Sequence, residues 1–326
     1  MIEVSAIFLV VIALALLFDF MNGWNDAASN IATVISTRAL SPLAAVCLAA
    51  LLNFAGAYLS TRVARTVSAD LVDATRVTAP MLLAALTVAT AWVAGTALAG
   101  ISVSSTHALI GSLLGAVIAG AGGTALRGDV LLTLIALVGA PLVALGAGFV
   151  LMGLFLVAFR SLPPRELGIV FGKLQLLSAS ALALAHGTTD AQKIMGVIVI
   201  ALVATGSAHP TEVPFWVMSL AAVMIGVGAM VGGWRAIHGR GTVLMRIRSV
   251  QAFASEAAAS GVLFGAAALG LPISATQVTA GSVVGVSATK STSALRHGVN
   301  VGALYVSAVT LPTCAVAAAL LAVIIS

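Results

Sequence analysis

Residues 100–115 read GISVSSTHALIGSLLG, and residues 270–285 read GLPISATQVTAGSVVG. At an offset of 170, Gly100, Ser104, Thr106, Gly111, Ser112 and Gly115 match Gly270, Ser274, Thr276, Gly281, Ser282 and Gly285. Both pieces lie in long apolar runs, and both break the helix they interrupt. Pro272 cannot continue a helix out of Gly270, so a new helical run starts after Ser274 or Ala275. In the first piece Gly100 ends one helix and Ser104-Ser105-Thr106 begin another. Ser and Thr at a helix start cap free backbone N–H groups, and the same N–H groups attract anions. Non-helical backbone at membrane depth survives only where it is buried in protein or lines a cavity. Two such tips facing each other predict an oxyanion site built without arginine. The plainer alternative is a pair of kinked helices whose hydroxyls satisfy their own backbone.

A second pair of segments lies upstream. Asn22-Gly23-Trp24-Asn25-Asp26-Ala27 matches His186-Gly187-Thr188-Thr189-Asp190-Ala191 at an offset of 164. Two motifs recurring in the same order predict a duplicated, single transmembrane domain over residues 1–326, with halves at 1–158 and 170–326. Polar breaks at matching positions of two halves point to a secondary transporter with its site between them.

The composition around these motifs is that of a polytopic membrane protein. The chain has 326 residues, is 61% hydrophobic and only 8% charged, with mean hydropathy +1.17. A soluble domain carries about a quarter charged residues, so a soluble enzyme is excluded, as is a disordered chain. The net charge of +5 fits basic residues gathered in cytoplasmic loops, and nucleic acid is not an expected partner. Cys47 and Cys314 sit in apolar stretches without metal-ligand spacing. The start, Met1-Ile2-Glu3, lacks a basic leader and reads as the approach to a first spanning helix. Spans are expected near 4–35, 41–60, 79–100, 130–158, 174–205, 213–233, 249–269 and 299–325. Charged loops are expected at 62–76, 159–173 and 234–248. The pieces near 101–120 and 271–289 do not fit as simple crossings. Basic residues put the 159–173 and 234–248 loops in the cytoplasm, but with single crossings throughout the 62–76 loop then falls outside. Pro141 marks 130–158 as an unusual crossing.

Asp26 and Asp190 are the residues most expensive to bury, because a carboxylate at membrane depth costs several kcal/mol unless paired, hydrated or bound to a cation. No Lys or Arg within its own motif neutralises Asp26, so a cation or proton is its natural partner. Lys193 follows Asp190 by three residues, a spacing that allows a pair within one helix. Asn22, Asn25, Asn30 and Asn53 offer side-chain oxygens. His107 and His186 stand beside the motifs, as proton carriers or as hydrogen-bonded structural groups. Glu256 is either an intramembrane or an interfacial carboxylate. Nothing resembles a nucleophile–base pair, a phosphate loop or a metal-ligand cluster, so neither an enzyme nor a cofactor is expected.

Asn22-Gly23-Trp24-Asn25-Asp26-Ala27-Ala28-Ser29-Asn30 resembles the Gly-x-Asn-Asp-x-Ala-Asn signature of the inorganic phosphate transporter (PiT) family. His186-Gly187-Thr188-Thr189-Asp190-Ala191-Gln192-Lys193 resembles its second copy in bacterial members. Val103-Ser104-Ser105-Thr106-His107 and Ile273-Ser274-Ala275-Thr276-Gln277 resemble the family's two Val-Ser-Thr-Thr-His hairpins. The likeness runs from Asp19 to the end of the chain. It implies an all-α carrier with two inverted repeats, each with a broken, re-entrant helical hairpin. It further implies phosphate at Ser104, Ser105, Thr106, Ser274 and Thr276, and cations at Asn22, Asn25, Asp26, Thr189 and Asp190, with Asp26 and Asp190 as the Na+ candidates. His107, His186, Gln277 and Glu256 are accessory candidates. Three positions depart from the family pattern: Thr189 stands for Asn, Ala275 for a hydroxyl residue and Gln277 for His. The expected function is symport of inorganic phosphate with Na+ or H+ across a bacterial inner membrane. The alternatives are a sulfate or other oxyanion permease on the same scaffold, and a non-transporting membrane scaffold subunit. Phosphate is preferred because it keeps an O–H that a nearby carboxylate can accept, whereas sulfate keeps none. Homo-oligomerisation is left open.

Overall fold

The computed structural model describes residues 6–101, 103–238, 247–289 and 301–325. The architecture is all-α: α1 (Ala6–Ser36), α2 (Pro42–Gly56), α3 (Arg62–Arg65), α4 (Ala79–Leu98), α5 (Ser105–Ala121), α6 (Asp129–Ala158), α7 (Pro164–Ala204), α8 (Phe215–His238), α9 (Ser249–Ala268), α10 (Ala275–Ala288) and α11 (Val301–Ile325). Among the described residues, six helices (α1, α4, α6, α7, α8 and α11) are long and apolar enough to cross a membrane. The chain is a multi-pass membrane protein.

Four expected segments read differently in the structure. The run at 41–60 is helical only over Pro42–Gly56, about 22 Å at 1.5 Å per residue, short of a roughly 30 Å hydrocarbon core. The span at 249–269 is present as α9, but Gln251, Ser255, Glu256 and Ser260 dilute it, and all four are buried. The charged loop expected at 159–173 shrinks to residues 159–163, with Arg160. Pro164 opens a helix at the position where its missing N–H costs nothing, and α7 then runs unbroken for 41 residues. Arg165, Glu166 and Lys173 are good helix formers, so charge there marks the end of the membrane and not the end of the helix. The fourth change concerns 62–76, which is no simple surface loop. It folds into α3, a π-helical turn (Thr66–Leu71) and a 3₁₀ turn (Ala74–Arg76), with Val63, Ala64, Val67, Ser68 and Leu71 buried. Gln192 of α7 accepts from the Val63 N–H at 2.8 Å, and the Arg62 guanidinium donates to Ala268 O at the end of α9 at 2.5 Å. A cation at a helix C-terminus meets the negative end of its dipole. Farther along it, Asp73 pairs with Arg127 at 3.2 Å. The Thr75 hydroxyl, and secondarily Arg127, hold the Asp73 carboxyl below its ordinary range.

The expected irregularity at Pro141 does not break α6, which is continuous over 30 residues. The loop expected at 234–248 is occupied by α8 up to His238; residues 239–246, with Arg240 and Arg246, lie outside the described residues. Residues 1–5 lie outside them too. Cys314 is buried and Cys47 exposed.

The two broken helices match in detail. α4 ends at Leu98 and α9 at Ala268; α5 begins at Ser105 and α10 at Ala275. Gly100 and Gly270 both take φ +74°, a left-handed conformation that glycine tolerates best. Ile101 N–H donates to Thr96 O, and Leu271 N–H to Ala266 O, each at 2.9 Å. Helix contacts are reciprocal as well. α1 packs on α8 as α2 packs on α7, and α5 packs on α11 as α6 packs on α10. Gly111 and Gly115 press on the α11 backbone at Leu311 and Ala315, while Gly281 and Gly285 press on the α6 backbone at Pro141 and Leu145. A Cβ on any of the four would overlap a carbonyl oxygen. Helices in lipid lack a hydrophobic drive toward each other and rely on this close backbone approach.

Candidate functional site

The middle of α1, the middle of α7 and the starts of α5 and α10 converge on one buried polar cluster. Ser104 and Ser274 cap the two short helices, accepting from His107 N–H at 3.2 Å and Gln277 N–H at 3.3 Å. The caps meet: Ser104 Oγ donates to Ser274 Oγ at 2.8 Å. The two free helix starts therefore point into the same volume, and their dipoles add where anions are favoured. His107 Nδ1 lies 2.7 Å from Ser104 Oγ.

The carboxylates flank these tips. Asp26 Oδ1 accepts from Thr276 Oγ1 at 2.7 Å and from Asn25 Nδ2 at 3.0 Å. The same Asn25 amide donates to Val103 O at 2.9 Å. Asp26 Oδ2 is buried without a partner. Across the cluster, Lys193 Nζ contacts Asp190 Oδ1 at 2.5 Å, Thr106 Oγ1 at 2.5 Å and Ile273 O at 3.2 Å. His186 Nδ1 lies 3.5 Å from Asp190 Oδ2. Ligand atoms of Asp26, His186 and Asp190 all fall within 4.8 Å of one another, close enough to share one ion.

Most of the residues expected from sequence come together here: Asn25, Asp26, Ser104, Thr106, His107, His186, Asp190, Ser274 and Thr276. Ser105 is buried in the first turn of α5, and Gln277 is half-buried in the first turn of α10. Asn22, one turn before Asp26, is buried with Oδ1 unpartnered. Thr189 turns back on its own helix, donating to Ala185 O at 2.9 Å. Asn53 does the same, donating to Ala49 O at 2.8 Å. Glu256 lies elsewhere. It is buried on α9, accepting from Gln175 Nε2 at 3.1 Å and from Ser178 Oγ. Ser178 precedes Asp190 by twelve residues of α7, about 18 Å along the axis.

Two residues stand out beyond the expected set. Lys193 pairs with Asp190 as its spacing suggests, but it also reaches both hairpin tips. Asp19 is fully buried on α1, with both oxygens unpartnered. Its signal was present in the sequence: a carboxylate inside Leu17-Phe18-Asp19-Phe20, two helical turns before Asp26. The cluster itself holds two carboxylates, Asp26 and Asp190, against one ammonium, Lys193. A multiply charged anion would meet net repulsion unless cations or protons enter with it.

A sequence profile described as the phosphate transporter family matches residues 22–163 and 160–318. The chain is 36% identical to a Bacillus subtilis protein named "Probable low-affinity inorganic phosphate transporter", over 93% of this chain and 92% of that one. It is 38% identical to a Rhizobium meliloti protein of the same name, over 95% and 93% respectively. A solved structure, "The sodium-dependent phosphate transporter", superposes with a TM-score of 0.87 at 21% identity, covering 98% of this chain and 99% of that one.

Proposed function

We propose that this chain, which belongs to the phosphate transporter family, is a secondary symporter that carries inorganic phosphate across a bacterial cytoplasmic membrane with a monovalent cation. It is a transporter-family member and not an enzyme. The observation that carries the reading is the meeting of Ser104 and Ser274 at 2.8 Å, with Asp26 bonded to Thr276 beside one tip and Asp190 joined through Lys193 to Thr106 beside the other. Hydroxyls and free N–H groups at two helix starts supply donors for phosphate oxygens, and an entering anion takes over the bond that the tips now give each other. Ser104, Ser105, Thr106, Ser274 and Thr276 form its shell. Asp26, with Asn22 and Asn25 beside it, takes the coupling cation, and the Asp26–His186–Asp190 triangle lets it sit against the anion. Carboxylates so close to the anion accept the phosphate O–H and repel sulfate.

The relatives' names support phosphate as the substrate. The name of the superposed structure supports Na+ as the coupling ion, with H+ as the second reading, since a proton also neutralises an unpartnered carboxylate oxygen. The reciprocal helix contacts support two repeats, 1–158 and 170–326, inverted about an axis in the membrane plane.

Uptake of radiolabelled phosphate by proteoliposomes, under separate Na+ and proton gradients, tests this reading. Arsenate, which keeps its proton, should compete, and sulfate should compete poorly. Equal competition by sulfate replaces the phosphate symporter with a general oxyanion permease. No uptake of either anion leaves the scaffold subunit.

A further inference from the structure

The two polar half-sites share one set of donor atoms, exchanged between the halves of the chain. Asp190, of the second half, meets Thr106 of the first hairpin and Ile273 O of the second through Lys193. Asp26, of the first half, meets Thr276 of the second hairpin directly and Val103 O of the first through Asn25. Offsets of 164 and 170 convert one list into the other: Asp26 to Asp190, Thr106 to Thr276, Val103 to Ile273. Each list is a carboxylate oxygen, a threonine hydroxyl and a backbone carbonyl, three oxygens of the kind that hold a small monovalent cation.

What fills the two sets differs. The second holds the Lys193 ammonium, at 2.5, 2.5 and 3.2 Å from its three oxygens, on a side chain that is 2% exposed. The position equivalent to Lys193 in the first half is Ser29, whose short hydroxyl donates to Asp26 O at 2.8 Å. The first set therefore has no tethered cation. Its Asp26 carboxyl keeps Oδ2 buried and unpartnered, and half a turn of the Asn25 amide would present that side chain's oxygen as well.

We infer that Lys193 is a resident cation, fixed in one of two equivalent cation positions, so that the chain moves one cation fewer per phosphate than the symmetry of its half-sites would allow. The mobile ion, Na+ or H+, occupies the Asp26 set alone. Lys193 also joins the two tips in the absence of any ion, because it bonds to Thr106 of the first and to Ile273 O of the second. This inference rests on the symport reading above.

The test is the number of cations moved per phosphate, obtained from the Na+ or proton gradient that just balances an opposing phosphate gradient at zero voltage. Lys193→Ser, which installs the residue found at position 29, should raise that number by one over wild type. Ser29→Lys, which adds a second tethered ammonium three residues after Asp26, should lower it by one. The same number in all three proteins, with phosphate uptake retained, overturns the inference. If a variant folds but does not transport, equilibrium phosphate binding in detergent, read as its slope against the logarithm of cation concentration, carries the same expected difference of one. An unchanged slope, or loss of phosphate binding in both folded variants, overturns the inference too, since an emptied cage that ions can refill must keep its anion. Absence of cation-driven phosphate uptake by the wild type would instead remove the symport reading itself.

Discussion

Ser104 and Ser274 lie 170 residues apart and bond to each other at 2.8 Å, each while capping its own helix. One hydroxyl thus serves a helix start and a partner tip at once. Replacing either by Ala removes a cap, worth about 1 kcal/mol, and one donor to a charged ligand, worth about 1.5–3 kcal/mol. Ser104→Ala and Ser274→Ala should each raise the KM for phosphate about 10-fold or more, with a modest loss of thermal stability. Uptake kinetics and melting in detergent measure both. An unchanged KM in both variants would remove the tips from the anion site.

Asp26→Asn should separate stability from function. The variant keeps Oδ1 for Thr276 and removes a charge with one unpartnered oxygen, so its melting temperature should equal or exceed that of the wild type. Coupled uptake should fall by about 100-fold, because a neutral amide no longer demands a cation; a loss of that size corresponds to about 2.7 kcal/mol. Retained uptake with unchanged ion dependence would refute the role given to Asp26.

Asp190→Asn should behave differently, because it leaves Lys193 as a buried ammonium without its carboxylate. Removing one partner of a buried pair costs about 3–5 kcal/mol. Lower melting temperature and poor membrane yield are expected here, in contrast to Asp26→Asn. Equal stability of the two variants would argue against the Lys193–Asp190 pair.

Gly115→Leu and Gly285→Leu should each force apart a helix pair, α5 from α11 and α6 from α10. Both glycines abut backbone, so no side chain can yield to make room. Losses of about 3 kcal/mol or more are expected from overpacking of this kind. Thermal unfolding compared with Gly139→Leu, which adds a side chain where nothing lies within contact distance, provides the control.

Asp73 supplies a pH dependence outside the membrane. Its folded carboxyl is held low, first by Thr75 and then by Arg127. Stability from this group is therefore complete above the ordinary carboxylate range, about pH 4, and is lost as pH falls through the depressed folded value. The effect is small, since the side chains of Asp73 and Arg127 are 26% and 52% exposed and solvent screens the pair. Hydrogen exchange at the Thr75 amide should accelerate, relative to neighbouring amides, only on the acid side. Asp73→Ala should remove that dependence.

Repetition made the tips legible. Ser104 and Ser274 could be paired because the same pattern occurs twice, and a capped start needs only four local residues to be recognised. Asp26 and Asp190 were legible because a charge in an apolar run must be explained. Asp19 carries the same signal in a single copy, with no counterpart in the second half to reinforce it. The reach of Lys193 was hidden for another reason: helical spacing discloses its bond to Asp190, while Thr106 and Ile273 are 87 and 80 residues away and come near only through tertiary packing. α7 starts at Pro164, before the span expected from 174, because hydropathy marks where lipid ends, and a helix can continue into water.

The exchange of partners between halves has a mechanical consequence. Thr276 holds Asp26, and Lys193 holds Thr106, so the two halves are cross-braced at the centre by ties running in opposite directions. Swinging one half away from the other must sever both ties together, since neither can lengthen by more than a fraction of an ångström and remain a hydrogen bond. A carrier braced this way cannot half-open.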